Sequence, residues 1–455
     1  MIKKIKESFG YIFSFLSLDC WLLFFFSTYS LFRVKTYFYT SHFYFLILLP
    51  FSLIIIGLYF YYDYKAHLFD NKEIEYKKKI KLVLVLIGVF LVGYLYTTFE
   101  NSKKLVFEYT HDEIIVTEYA MEYLSKGKNP YVENYYNTPL ENWYPNRSIP
   151  VMEEAIKVFN PAFVTYAYFP GQFLLPYPFY YTITKIFNWY DHRLFYFFCL
   201  IGIIILLNRL VKNLYYRLLL LISMPFFVDF FKFSYYGWND LLILLFILLS
   251  LFFLQREKIW WSVVFLALAV ASKQSAIFLL PYYFLYLYQH KKIRWNIILK
   301  RIIIPFFLLL LIVLAFTLPF IIWNASSFNE DVLGYQTGKS LFSYPLNGIG
   351  FSRFIYLSGL VKNVNGYYPF YIWQIVIVLP LVAFLLYKQL LKNSLRKMLL
   401  NYALTLFVIW FFSRSFLFTH LIYVGVFLPV AYFIDDNRCK ELKGNKFPQI
   451  SSLNN

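Results

Sequence analysis

Two adjacent carboxylates, Asp112 and Glu113, follow His111 in the stretch HDEIIVTEYAMEYLSKGKNPY, just past an apolar run that ends near Phe99. A carboxylate held where a membrane helix meets water can accept a proton from a polar substrate while a lipid-borne reactant arrives sideways through the bilayer. Other polar residues recur where hydrocarbon should discourage them. Asn239 and Asp240 lie in the turn Tyr236-Gly237-Trp238-Asn239-Asp240, and Lys273 and Gln274 interrupt VFLALAVASKQSAIFLLP. Arg414 and His420 flank the last outer turn, and Arg353 falls in a long polar loop from Asn324 to Tyr368. Each also has a plainer role. Acids such as Asp112 and Glu113 suit the positive end of a helix, Asn239 could cap a helix with Asp240 in its first turn, and Arg414 and His420 could anchor at an interface. Lys273 is the hardest to set aside, because a lysine among such neighbours needs a counter-charge or an interface to snorkel to.

The elements that must position these residues follow from composition. The chain has 455 residues, 60% hydrophobic and 15% charged, against roughly 45–50% and about 25% in soluble domains. Apolar runs approaching or exceeding about 18 residues recur along its length, as in a polytopic membrane protein. Retained spans are expected at about Tyr11–Phe32, His42–Tyr62 and Ile80–Phe99. The segment Asp63 to Lys81 carries six lysines, which places it in the cytoplasm and the loop from Glu100 to Ala162 outside. In that loop Tyr119, Met121, Tyr123 and Leu124 predict an amphipathic helix on the membrane surface, ended by Gly127 and Asn129-Pro130. Tyr166 to Phe187 is broken by Pro170, Pro176 and Pro178. Reading it as a re-entrant dip puts every later basic loop on the cytoplasmic side.

Further spans are expected at about Leu194–Leu207, Leu218–Phe233, Leu241–Leu254, Ile259–Ser272, Ala276–Tyr288, Ile302–Trp323, Phe370–Tyr387, Met398–Phe412 and Phe416–Ile434. The fold expected is all-α and polytopic, with about twelve spans and one Pro-broken segment. It divides into N-terminal spans (1–99), an extracytoplasmic loop with the broken segment (100–192), a central bundle (193–323), a second outer loop (324–369), C-terminal spans (370–434) and a cytoplasmic tail (435–455). The net charge of +18 gathers mainly in the loops assigned to the cytoplasm, so it reads as topology rather than as affinity for nucleic acid. Cys20, Cys199 and Cys439 are scattered and form neither a disulfide framework nor a metal cluster. No internal repeat relates the halves, which weighs against a secondary transporter.

The order of these motifs resembles the glycosyltransferase-C superfamily, in particular its mannosyltransferase-like branch. The pieces that carry the resemblance span roughly Glu100 to Tyr288. They are the acid pair with Gly127-Lys128-Asn129-Pro130-Tyr131, the segment Tyr168-Phe169-Pro170 to Pro176, the Gly237-Trp238-Asn239-Asp240 turn, and Ser272-Lys273 leading to Pro281. Many relatives show an acid-x-acid pattern in the first loop where this chain has His111-Asp112-Glu113. The resemblance implies inverting transfer of a hexose from a polyprenyl-phosphate carrier to a lipid, glycan or protein acceptor, on the extracytoplasmic side of a plasma membrane or endoplasmic reticulum. Asp112 would be the general base, with Glu113 as second choice or helper. Lys273, Arg353 and Arg414, with His420 behind them, would face the departing lipid phosphate. Asn239 and Asp240 would hold sugar hydroxyls, with His111 and Gln274 beside them, and Trp143 and the tyrosines would stack on sugar faces. No metal or other cofactor is expected, the lipid-linked sugar itself being the donor substrate. Asn146-Arg147-Ser148 and Asn324-Ala325-Ser326 match glycosylation acceptors in outer loops. A transporter or flippase of a lipid-linked or polar solute, and a non-enzymatic membrane subunit, are the alternatives.

Overall fold

Where the sequence places its polar breaks, the helices stop short of a full membrane thickness, and that shortening builds the site. The computed structural model describes residues 16–35, 42–68, 72–102, 110–143, 146–151, 154–227, 229–288, 295–340 and 342–436. Expectations for Met1 to Gly10, Cys439, most of the tail, and the side chains of Trp143, Asn146, Arg147 and Ser148 lie outside the described residues.

The chain opens with α1 (Leu18–Val34), α2 (Leu49–Leu68) and α3 (Lys72–Ser102). Next among the described residues comes α4 (Asp112–Ser125). Two antiparallel strands, β1 (Asn146–Val151) and β2 (Glu154–Phe159), then pair in register from Asn146 against Phe159 to Val151 against Glu154. The Pro-broken segment forms α5 (Gly171–Leu174) and α6 (Tyr177–Phe187), split at Pro176. The bundle continues with α7 (Arg193–Leu210), α8 (Leu214–Ser223), α9 (Phe230–Tyr236), α10 (Asp240–Leu254), α11 (Ile259–Ser272) and α12 (Leu280–Leu287). It closes with α13 (Ile304–Trp323), the loop helix α14 (Phe351–Leu357), α15 (Leu379–Leu391), α16 (Leu395–Phe411) and α17 (Phe418–Phe433). A two-residue parallel pair, β3 (Asn347–Gly348) with β4 (Ser415–Phe416), fastens the second outer loop to the turn before α17.

The protein is thus an all-α membrane protein with two small strand pairs. Among the described residues five helical stretches are long and apolar enough to cross a membrane, namely Tyr44–Lys65, Lys72–Glu100, Arg193–Leu210, Leu299–Trp323 and Phe370–Leu391. A sixth arises if α9 and α10, bent by 120°, count as one. Among the described residues, then, five or six helices qualify by length and composition, and the spans expected, about twelve, are not all of that length. The reason is geometric. At about 1.5 Å per residue against a hydrocarbon core of about 30 Å, segments such as α8, α11 and α12, with 10, 14 and 8 residues, fall well short.

Three apolar cores hold the described residues together. The largest runs through α1–α3, α7–α13 and α15–α17. The second packs α4 through Ile115, Val116, Ala120 and Met121 against Phe163, Tyr166, Phe173, Phe320 and Phe328. The third gathers Leu346, Val361, Val364 and Phe370 around Ile355 of α14. The predicted helix after the acid pair therefore exists and turns off at Gly127, whose φ is +70°. It does not present an open apolar face along its whole length. Its first half is buried nearly all round, because the broken segment and the end of α13 cover the face that lipid was expected to take.

The ends of the bundle sort themselves. The amide of Lys212 donates to Asp435, Gln255 to the carbonyls of Leu210 and Asp435, and the amide of Leu395 to Asp436. The turns expected in the cytoplasm thus meet at the end of α10 that carries Leu254. Asp112, Glu113, Asn239, Asp240 and Lys273 gather at the opposite end, where α10 begins.

Candidate active site

The first turn of α4, the turn before α10 and the break after α11 are locked together by backbone before any side chain is considered. The amide of His111 donates to Tyr236 O at 2.9 Å. Gly237 has φ +85°, and a Cβ there would come within 2.5 Å of Ile114 and 3.1 Å of Arg193, so only glycine lets this turn lie on α4. Gly171 plays the same part on the far side, where a Cβ would meet Ala271 O at 2.6 Å and Ser272 Oγ at 2.8 Å. The start of α5 is thereby pressed against the end of α11, one residue before Lys273.

Glu113 is the hub. Its Oε1 accepts the amide of Asn239 at 2.9 Å, and its Oε2 accepts Asn239 Nδ2 and the Tyr168 hydroxyl, each at 2.6 Å. Lys273 Nζ then donates to Asn239 Oδ1 at 2.9 Å and to Asp240 Oδ1 at 2.6 Å. Because Asn239 gives its NH2 to a carboxylate and its carbonyl to an ammonium, its amide has one satisfactory orientation. Asn239 stands at the N-cap position of α10 but its side chain does not cap the helix. That correction matters, since the side chain is the link between Glu113 and Lys273. The Lys273 ammonium also lies 5.8 Å from the Tyr168 ring centre.

Asp112 is buried beside Glu113, with His111 Nδ1 2.8 Å from its Oδ1. The same His111 nitrogen lies 3.4 Å from the Glu113 amide. The shorter contact, to a carboxylate, requires a proton between the atoms, so we read His111 Nδ1 as the donor. The His111 side chain is 39% exposed and that of Lys273 17% exposed, against 4%, 7% and 5% for Asp112, Glu113 and Asp240. The carboxylates form a buried floor, and His111 and Lys273 reach outward. On this floor burial and the neighbouring Glu113 and Asp112 charges hold the Tyr168 hydroxyl well above the usual tyrosine range, so it acts as a donor.

The structure brings His111, Asp112, Glu113, Asn239, Asp240 and Lys273 into one network. Gln274 borders it, its Nε2 3.4 Å from Ala167 O and 3.5 Å from Val332 O. Arg414 is placed elsewhere. Its guanidinium is buried and spent on the carbonyls of Tyr344, Gly366 and Val364, so it ties the second outer loop to the turn before α17. Arg353 is exposed on α14, and among the described residues no hydrogen bond or ion pair joins it to the network. His420 stacks on Trp410 at 4.5 Å, and its Nδ1 accepts the amide of Leu417. Among the described residues no group of three or more His, Cys, Asp or Glu could hold a metal ion.

Sequence reasoning missed two supports. Tyr168 appeared only as part of a motif, although its hydroxyl is a direct ligand of Glu113. Gln172 is fully buried and donates to Tyr196 Oη at 2.9 Å and toward Asn239 O at 3.4 Å. A glutamine inside a Pro-broken apolar segment is a polar residue needing a partner, and that was the available signal. Comparison of the chain with protein-family models, curated proteins and solved structures finds no match. The functional argument therefore rests on the network itself.

Proposed function

We propose that this protein is an integral membrane glycosyltransferase that moves a hexose from a polyprenyl-phosphate carrier to a lipid, glycan or protein acceptor on the extracytoplasmic side. The observation that carries the reading is the network itself. A buried carboxylate pair and a lysine share one end of an apolar bundle, at helix breaks where polar and lipid-soluble substrates can both arrive.

The roles follow from the hydrogen bonds. Glu113 engages Asn239 and Tyr168 through both oxygens, so it organises the site. Asp112, paired with His111, is the general base. It takes the acceptor hydroxyl's proton as that oxygen bonds to the anomeric carbon. The bond from that carbon to the phosphate oxygen breaks with inversion, and the lipid phosphate leaves with the electron pair. The proton passes to water, with the more exposed His111 as its nearest outlet. Lys273 stands where negative charge grows on the phosphate, and turns toward it from Asp240. Arg414, held by loop carbonyls, is not assigned to this task; Arg353 supplies surface charge on the outer loop.

The test uses membranes containing the full chain, incubated with radiolabelled polyprenyl-phosphate hexoses, mannose first. Transfer by the native protein and its loss in Asp112→Asn, with expression retained, are expected. Full activity in both Asp112→Asn and Glu113→Gln would refute the chemistry. A transporter or flippase is the second reading, favoured by the 120° break between α9 and α10 with polar residues at the break. Flux of a lipid-linked sugar across liposomes holding purified protein, without transfer, would establish it.

A further inference from the structure

Beside the network lies a carboxyl that the proposed transfer does not use. Asp331 sits in the π-turn Glu330–Gly334 of the second outer loop and is 7% exposed. Its Oδ2 accepts the backbone N–H of Tyr166 at 2.8 Å. The next residue, Val332, receives Gln274 Nε2 through its carbonyl, and the same nitrogen reaches Ala167 O. Three segments therefore meet here. They are the second outer loop, the strap Tyr166–Tyr168, and the turn that follows Lys273. The strap is what delivers the Tyr168 hydroxyl to Glu113.

The groups facing Asp331 are Glu330 on its own turn, Tyr166 on the strap, and Tyr131 and Tyr135 from the segment after α4. None of them brings positive charge. A carboxylate buried in such company is costly, and the usual response is to keep its proton. Here burial, opposed by the Tyr166 N–H and aided by Glu330, pushes the Asp331 carboxyl up to about 8.

We infer that Asp331 is a proton-dependent latch that holds the second outer loop against the Tyr168 strap and so governs access to the Glu113–Lys273 network. With its proton, the carboxyl accepts the Tyr166 N–H and stays buried. Without it, the anion is better served by water, which favours a lifted loop. In the lifted loop the carboxyl returns to the usual aspartate range near about 3.9, so docking binds the proton more tightly. Docking is then at full strength in acid, weakens as pH rises above about 4, and stops changing once pH passes about 8. The inference does not depend on the transfer chemistry.

The test is hydrogen exchange by mass spectrometry on the solubilised full chain, following the peptide that contains Tyr166 to Tyr168 between pH 5.5 and 9. The ordinary base catalysis of exchange cancels when the native rate is divided by that of Asp331→Asn, which cannot ionise. That ratio is expected to climb by up to tenfold per pH unit and to level off near pH 8, with Asp331→Glu restoring the slope. A ratio independent of pH overturns the latch. If Asp331→Asn does not fold, the native rate is divided instead by that of the exposed turn Lys126–Lys128, with the same two outcomes.

Discussion

The two ends of the bundle each hold a buried cluster of acids around a lysine, and they differ in what can reach them. At the end where α3 begins, Lys79 bridges Asp19 at 2.8 Å and Asp63, while Tyr59 donates to Asp19 at 2.5 Å and Ser17 donates to Asp63 through both its amide and its hydroxyl. The side chains of Lys79, Asp19 and Asp63 are exposed by 2%, 0% and 1%. They join three consecutive helices, α1, α2 and α3. At the other end the network links Glu113, Tyr168, Asn239 and Lys273, drawn from segments far apart in sequence, and Lys273 and His111 remain partly open. The Lys79 cluster is sealed and staples neighbours. The Lys273 cluster is held in place by glycine-dependent close approaches and keeps a face toward solvent. The same residue types serve as a structural staple in one place and as a candidate site in the other, and accessibility separates the two.

The sharpest way to break this comparison is Asp112→Asn. Removing a general base usually costs on the order of 10²–10⁴ in rate, so transfer should fall by that range while the thermal unfolding of the purified protein barely moves. A large drop in stability without a selective loss of rate would make Asp112 a staple too. Next in size is Lys79→Met, which leaves buried acids without their ammonium. Breaking one partner of a buried pair costs roughly 3–5 kcal/mol. Unfolding in mixed micelles should show that loss, while whatever protein remains folded keeps its native KM. A Lys79-cluster variant that folds normally but loses transfer would show that both ends take part in function.

Gly171→Ala comes third. Its Cβ would press on the Ala271 carbonyl, which is backbone and cannot step aside. Overpacking of this kind costs typically about 1–3 kcal/mol, and here it should also push α5 off the end of α11. The expected reading is a rate loss larger than the stability loss, because Gln172 and Lys273 move apart. Equal losses would mean that α5 only fills space.

Much of the fold was legible because its signals are local. Apolar runs, lysine-rich turns, the stop at Gly127 and the breaks at Pro170 and Pro176 all depend on neighbours in sequence. The gathering of His111, Asp112, Glu113, Asn239, Asp240 and Lys273 could be anticipated from topology, since each sits at the same end of an apolar run. What escaped depends on distant partners. Nothing near Arg414 announces that the carbonyls of Tyr344, Val364 and Gly366 will claim it, and nothing near Tyr168 points to Glu113. Hydropathy located the breaks at Gly237–Asp240 and Lys273, but it joined Leu218 to Phe233 in one span where α8 ends at Ser223 and α9 begins at Phe230.

The smallest effect tests whether the staple-like character extends behind the Lys273 network. Glu118, on α4, accepts the backbone N–H of His192 at 2.5 Å, beside the buried Asp191–Arg193 pair. Crowding by protein and the Asp191 charge push its carboxyl well above the usual glutamate range, against the pull of the His192 N–H and Arg193. Glu118→Gln removes the titration and keeps the accepting oxygen. We expect a stability change below about 1 kcal/mol, within the range of conservative replacements, and unchanged transfer. The sign of the pH dependence gives the finer check. A carboxyl raised in the folded state contributes stability that is complete below its unfolded value near about 4.3 and is lost as pH rises toward its folded value. As pH rises above about 4.3 the native protein should therefore lose stability relative to Glu118→Gln. If transfer instead shifts its pH profile in Glu118→Gln, the proton on Glu118 belongs to the reactive end, and the boundary between staple and site lies deeper along α4 than His111 and Lys273 suggest.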